Sequence, residues 1–309
     1  MPPLKYHQGQ IAIQQEASTT KIADSLAHWV GPVAEFTALS DIILFATATT
    51  DGTLGFTTLS GKPPLVRFSG GQTLRIHLPA GMTSLPANTK TGGLSINMAQ
   101  ARRARVNGQL VSGASGMDLV AEETFTLCRK YIAPSLLRGD ELLIGPAKRE
   151  AIALEDPWVA TVVANAETTF LASVSPTGMP DVAHRGGPQG FVKLDAPAKK
   201  LTWTEYLGDG VFKSAGNIRA TGTMTLLVPD LENGDAVELV GRAEYTNVRT
   251  SRRQRLDPLV QHQEPHPVQG TITCQLAHAW RLTRVLNRRE LVNAESITSC
   301  DTPDDQAPQ

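Results

Sequence analysis

The chain has 309 residues, 41% of them hydrophobic, and a formal net charge of −1. That length is enough for two domains with a core each, and the composition is that of a folded rather than a disordered chain. A charge so close to zero gives no general affinity for nucleic acid or a membrane surface, so any anion site must be local.

Cys128, Cys274 and Cys300 are odd in number and far apart, which suggests a reducing compartment and offers no metal spacing. The opening MPPLKYHQGQ lacks the apolar stretch of a secretory signal, and no run approaches the roughly 20 apolar residues that span a bilayer. A cytoplasmic location is the expectation.

In chain order, residues 20–37 place Ile22, Leu26, Trp29, Val30 and Val33 at helical spacing, which predicts one helix. Ile43, Phe45 and Thr47 alternate with Leu44, Ala46 and Ala48, a run fit for a strand covered on both faces. Thr50-Asp51-Gly52 reads as a turn. Leu74, Ile76 and Leu78 alternate with Arg75 and His77, and GGLSINMA and ARVNGQLV read as later strands. Arg102, Arg103 and Arg105 fit a solvated strand edge; the alternative is that they face an anion bound by the other half of the chain. Residues 112–155 read as a connection.

Asp156-Pro157 resembles a helix start, with Pro where its missing N–H costs little, and Trp158, Val159 and Val162 are expected to face the core. Pro176-Thr177-Gly178 is a second turn, and Leu201 and Trp203 alternate with Thr202 and Thr204. TMTLLVPD, VELVGRAEY and TITCQLAHAWRL read as the last strands. QHQEPHP holds His262, Glu264 and His266, metal-ligand types, but Pro265 and Pro267 favour a rigid exposed turn.

Residues 45–68 and 171–194 look like two copies of one segment at a constant offset of 126. Ala46, Gly52, Gly61 and Val66 recur as Ala172, Gly178, Gly187 and Val192. A period this long is a whole small domain present twice. Gly108 and Gly241 correspond at an offset of 133, which places a gain of about seven residues in the second copy, with the LENGD loop as the expected position. The copies differ where chemistry is expected: Thr58 and Leu59 of the first become His184 and Arg185 of the second.

Two segments carry the candidate chemistry. In AHRGGPQGFVKL, a His184-Arg185 pair ends a strand, and Gly186 and Gly187 let a backbone approach a ligand closely. Arg supplies a planar fork of donors suited to phosphate. In YLGDGVFKSAGNI, Tyr206 ends a strand and Lys213, Ser214 and Asn217 open a short helix, with Lys213 and Asn217 on one face. A helix start bearing Lys and Ser is a phosphate seat, while a Gly-rich hairpin plus a solvated basic face accounts for the same residues. Gly208-Asp209-Gly210 is not a dinucleotide fingerprint, because Lys213 stands at the third glycine position.

YHQGQIAIQ, ARRARVNGQ and FTLCRKYI in the first half, with FLASVSPTGMPDVAHRGGPQGF, FKSAGNI and VGRAEY in the second, resemble the pyridoxamine 5′-phosphate oxidase-like FMN-binding split-barrel superfamily, and within it a fused two-barrel group. The resemblance implies a mainly β fold with short helices. It would be two tandem split β-barrels of Greek-key type, six strands each, forming an internal pseudo-dimer. The implied division is 1–147 for the first barrel, 148–292 for the second, which carries the FMN phosphate site, and 293–309 for a mobile tail.

It further implies FMN between the barrels. Arg185, Lys213, Ser214 and Asn217 would hold its phosphate, with His184, Gly186, Gly187 and Tyr206 nearby. Arg105 and Asn107 of the first barrel would wall the flavin ring. One phosphate site per chain is expected. The implied activity is an FMN-dependent oxidoreductase acting on a small organic substrate, with NAD(P)H as electron donor and His184, Glu205 or Tyr206 touching the substrate. TITCQLAHAWRLTRV keeps a Trp-Arg-Leu run near the oxidase's usual ending, but the rest of that enzyme's pyridoxal phosphate site finds no place in this sequence, so vitamin B6 oxidation does not follow. A scaffold that holds flavin or haem without turnover, or a deazaflavin-dependent reductase, is the alternative. A chain that builds the pair internally is expected to be a monomer or a homodimer.

Overall fold

The computed structural model describes residues 2–49, 52–76, 87–113, 116–127, 131–132, 135–137, 142–206, 208–247 and 268–291. The QHQEPHP segment, Cys128, Cys300 and the expected tail lie outside them.

Three helices, α1 (Gln8–Glu16), α2 (Thr20–Ser25) and α3 (Val30–Ala38), lead into seven strands. These are β1 (Ile42–Ala48), β2 (Leu54–Ser60), β3 (Val66–Phe68), β4 (Thr73–Ile76), β5 (Thr89–Asn97), β6 (Arg102–Gly113) and β7 (Gly116–Leu127). Short strands β8 (Ser135–Leu137), β9 (Leu143–Gly145) and β10 (Lys148–Ala151) lead to α4 (Pro157–Ala164). The second half holds β11 (Thr168–Val174), β12 (Pro180–Gly186), β13 (Val192–Asp195), β14 (Lys200–Tyr206), α5 (Lys213–Thr221), β15 (Thr223–Asp230), β16 (Asp235–Asn247), β17 (Val268–Thr283) and β18 (Arg289–Leu291).

The two halves repeat one antiparallel topology. The first sheet runs β2-β1-β5-β6-β7-β4-β3, and the second runs β12-β11-β15-β16-β17-β14-β13. Strand for strand these are the same order. Each sheet is curled, and the two ends of the shared order, β2 and β3 in the first half and β12 and β13 in the second, are not paired with each other, so the fold is two tandem split β-barrels. Strand β9 extends the first sheet beside β2, and β10 joins the second beside β17.

Three apolar clusters explain the sequence pattern. One fills the first barrel around Ile43, Phe45, Leu74 and Val106, and one fills the second around Leu171, Trp203, Leu226 and Ile272. The third lies between the barrels and joins Ile42, Leu44, Phe56 and Leu94 to Phe170, Val182, Leu227 and Leu282. Strand β1 therefore sends alternate residues into its own barrel and into the seam. That is why its run is apolar on both faces rather than alternating with polar residues.

Four expectations need correcting. The helix over 20–37 is two helices, with Ile22 and Trp29 exposed. Leu26 is extended, Ala27 bridges Pro3, and Pro32 can sit only in the first turn of a new helix, here α3. Residues 116–127 are not a connection but β7, paired along most of its length with β6. Each barrel has seven strands in the shared order rather than six. The extra residues of the second copy are not in LENGD. Matching strands are offset by 126 at Ile42 and Thr168 but by 134 at Thr89 and Thr223. The gain therefore falls between β14 and β15, where α5 stands.

Gly92 of β5 marks the tightest point of the seam: a Cβ there would lie 2.6 Å from the backbone nitrogen of Asp181 on β12. Gly92→Val is expected to force the barrels apart and destabilise the chain by about 2 kcal/mol, read as a lower Tm. Gly31→Ala, where a Cβ meets nothing within 4 Å, is expected to leave Tm unchanged or slightly raised.

Candidate functional site

Between the barrels lies a cavity of about 80 Å³, lined from the first half by Arg103, Arg105, Phe125 and Tyr131. The second half contributes His184, Arg185, Gly186, Glu205, Tyr206 and the 208–215 segment. Among the predicted site residues, Arg105, His184, Arg185, Gly186, Tyr206, Lys213 and Ser214 share this wall. Asn107, Gly187 and Asn217 stand behind it.

The start of α5 is built by its neighbours. Asp209 Oδ1 accepts from Val211 N, and Gly210 takes a φ of 76°. Phe212, a left-handed residue at φ 55°, then turns the chain into the helix without a side-chain cap. Gln14 Nε2 and Thr19 Oγ1 donate to the carbonyls of Val211 and Gly210. Helix α1 crosses α5 at a pair of glycines, because a Cβ on Gly216 would sit 2.6 Å from Gln10 Cα. Asn217 serves this junction: its Oδ1 accepts from Gln10 Nε2 at 3.1 Å and is 2.8 Å from His7 Nε2, and its Nδ2 donates to Ser173. Lys213 and Asn217 thus point to different partners, one to the cavity and one to α1.

The cavity is rich in cations, and carboxylates answer them. Arg105 pairs with Asp181, Lys213 with Glu123, and Arg185 with Glu205 at 2.7 Å. The first two pairs cross the seam in opposite senses. Asp181 is buried and also accepts from Asn107 Nδ2 and Ser214 Oγ, each at 3.1 Å. Burial pushes its carboxyl pKa up, but the Arg105 charge and hydrogen bond, the Lys213 charge and the Asn107 bond outweigh this and leave it lowered. Asn107 bridges to Glu123 as well. Glu205 also accepts from Trp203 Nε1 at 2.7 Å.

Arg103 and Arg105 are buried, so the solvated-edge reading of these two fails. They reach across the seam because β6 lies against β12 there. Arg103 NH1 is 3.0 Å from Nδ1 of His184. Burial, then the Arg103 and Arg185 charges, hold His184 well below the ordinary imidazole range, so it is neutral. Its Nε2 and the Arg105 Nε are buried with no protein partner. The close approaches at the two glycines are made by protein: a Cβ on Gly186 would meet the Tyr131 carbonyl, and one on Gly187 the Tyr206 ring. Tyr131 and Tyr206 pair across the halves, ring centroids 5.7 Å apart.

Sequence reading missed Asp181, Glu123 and Tyr131. For Asp181 a signal existed: a carboxylate next to Val182 and Ala183, at the position where the first copy has Gly55. Among the described residues, no three His, Cys, Asp or Glu side chains cluster to hold a metal, and no helix is long and apolar enough to cross a membrane.

No protein-family model and no curated protein matches the chain. Among solved structures it is similar to HupZ of Group A Streptococcus, at 17% identity over 41% of this chain and 98% of that one, with a TM-score of 0.30. It is similar to a protein related to general stress protein 26, of the pyridoxinephosphate oxidase family, from Clostridium acetobutylicum (12%, 45% and 94%, TM-score 0.29). It is similar also to the haem storage protein HutZ from Vibrio cholerae (15%, 42% and 95%, TM-score 0.27). Likenesses of this size speak to no activity. The strand order itself makes the chain a tandem split-barrel protein, and a polar cavity lies between its barrels.

Arg105→Met strands a buried carboxylate and is expected to cost about 3–5 kcal/mol, measured by urea unfolding at pH 7. Because the folded-state pKa of Asp181 is lowered, its contribution is complete above the unfolded value, about 4, and is lost as pH falls through the folded value. Asp181→Asn is expected to flatten stability against pH in that acid window.

Proposed function

We propose that the seam cavity is a flavin site and that the chain is an FMN-dependent oxidoreductase acting on a small organic substrate. The observation that carries this reading is one polar wall assembled from both barrels, in which Arg185, Lys213, Ser214 and the uncapped start of α5 converge. A helix start offers backbone N–H groups and a favourable dipole to a phosphate. The two unpartnered donors, Arg105 Nε and His184 Nε2, fit a ligand rich in acceptors.

The donors fit FMN, with one condition. Arg105, Arg185 and Lys213 already carry carboxylates, and about 80 Å³ is small beside the roughly 300–1,000 Å³ of ordinary ligand clefts. Entry therefore requires pairs to part. Asp181 is fixed in the seam, whereas Glu123 and Glu205 stand at the edge, with 19% and 10% of their side chains exposed. In this reading Arg185 and Lys213 exchange those carboxylates for the phosphate, Ser214 adds a hydroxyl donor, and Phe125, Tyr131 and Tyr206 wall the ring. When bound, FMN supplies hydride-transfer chemistry, with NAD(P)H as the proposed donor. A chain that completes its own cleft works as a monomer or homodimer, in the cytoplasm.

The self-neutralised wall also favours a second reading, a scaffold that holds flavin or haem without turnover. An absorption spectrum of the purified protein separates the two: flavin bands that bleach with NADH or NADPH support the enzyme, and flavin inert to reductants supports the scaffold. Loss of both Arg185 and Lys213 to Ala is expected to weaken FMN by at least about a hundredfold and spare riboflavin, since each charged contact contributes about 1.5–3 kcal/mol. Glu123→Gln is expected to tighten FMN several-fold by removing a competitor for Lys213. Unchanged FMN affinity in the double variant, by fluorescence titration, rejects the phosphate assignment.

A further inference from the structure

His184 is the imidazole of the cavity wall, on β12 with its ring buried. Its Nδ1 is 3.0 Å from NH1 of Arg103, which comes from β6 of the other barrel. A guanidinium has no acceptor and keeps its protons, so NH1 donates and Nδ1 accepts. A neutral imidazole carries one N–H, and the bond made at one nitrogen sets which. The proton is therefore on Nε2, which has no partner in the protein. Phe170 of β11 stands edge-on at 6.0 Å, and the ring lies so close to Gly186 that a Cβ there would come within 2.8 Å of its Cε1. The charged and titratable groups on the surrounding wall are Arg103 and Arg105 of β6, Tyr131, Arg185 of β12, Glu205 and Tyr206 of β14, Asp209, and Lys213 of α5.

We propose that Arg103 is a positioning residue that acts across the seam to lock His184 as the Nε2–H tautomer, and that this N–H is the donor with which the cavity reads an acceptor atom of its ligand. The ligand then presents a carbonyl, an unprotonated ring nitrogen or a phosphate oxygen there, and a group that can only donate is rejected. The inference rests on the reading of the cavity as a ligand site, while the lock itself is a property of the ligand-free protein.

The test is long-range ¹H–¹⁵N NMR of the full ¹⁵N-labelled chain, with His184→Gln to identify the His184 signals. A neutral Nε2–H pattern that does not titrate between about pH 6 and 8 is expected. Arg103→Met should mix the tautomers, and Arg103→Lys, which keeps a donor, should restore the wild-type pattern. An Nδ1–H tautomer in the wild type, or Arg103→Met signals identical to it, overturns the lock, whether or not any variant folds poorly. FMN is then added. His184→Leu should lose about tenfold in affinity, and His184→Gln, which keeps an N–H, should recover most of it. FMN that binds without moving the His184 resonances overturns the donor role. No FMN binding by the wild type sinks the flavin reading alone, and inorganic phosphate then replaces FMN as the probe, with unmoved resonances at saturation again overturning the donor role.

Discussion

A carboxylate taken out of water needs its compensating charge in place, and for Asp181 that charge is on the other half of the chain. Arg105 and Asn107 reach it from β6, while Ser214 reaches it from α5. Strand β12 can therefore be buried at the seam only when the first barrel is docked in register. The apolar seam of Ile42, Leu44, Phe56, Phe170 and Val182 supplies the non-directional drive for docking. The ionic cluster supplies direction, since burying two charges costs much of what their attraction returns and leaves geometry as its main contribution. Site and interface are thus one construction, and the cavity exists only in the docked state.

The repeat makes the same point in its other half. Arg105 lies three residues before Gly108, the residue that follows the bulge in β6. The residue three before Gly241, at the corresponding bulge of β16, is Glu238. Glu238 also crosses the seam: it accepts from Phe56 N of β2 at 3.1 Å, in the strand that corresponds to β12, and pairs with Arg149 at 2.9 Å. The two barrels therefore reach across the seam from one shared position, Arg105 in β6 and Glu238 in β16, with the sign of the charge reversed.

Much of this architecture was legible because it follows from periodicity. Strands with two buried faces announce themselves as apolar runs, and the His184-Arg185 pair stood out against Thr58-Leu59 because the copies could be overlaid. The rest depends on contacts between residues far apart in sequence. Nothing in QGQIAIQQE says that it docks on α5, since Gln10 and Gln14 are buried only because carbonyls of Val211 and Lys213 wait there. Strand β7 does not announce itself in the sequence, because residues 116–127 mix Asp118, Glu122 and Glu123 with apolar residues. The charges belong to the structure: Asp118 pairs with Arg75, and Glu123 with Lys213. Arg103 and Arg105 read as solvated for the same reason, because burial of a charge becomes sensible only once its partner is known.

The asymmetry between the halves explains why the polar cavity forms where it does. At the positions of Arg103, Arg105 and Asn107, the second copy has Ala236, Glu238 and Val240, and opposite them stand Thr58 and Leu59. Thr58 Oγ1 is spent on the Val285 carbonyl, and Leu59 is fully buried. That end of the seam is closed by apolar packing and one internal carboxylate. The other end received the extra residues between β14 and β15, whose helix start brings Lys213 and Ser214 to the seam. It also received α1 from the far terminus, whose Gln10 and Gln14 hold that helix start in place. A duplicated barrel pair begins with two equivalent seam ends. Here one end is filled by packing around Thr58, Leu59 and Glu238, and the other draws on three separate parts of the chain to build a single site.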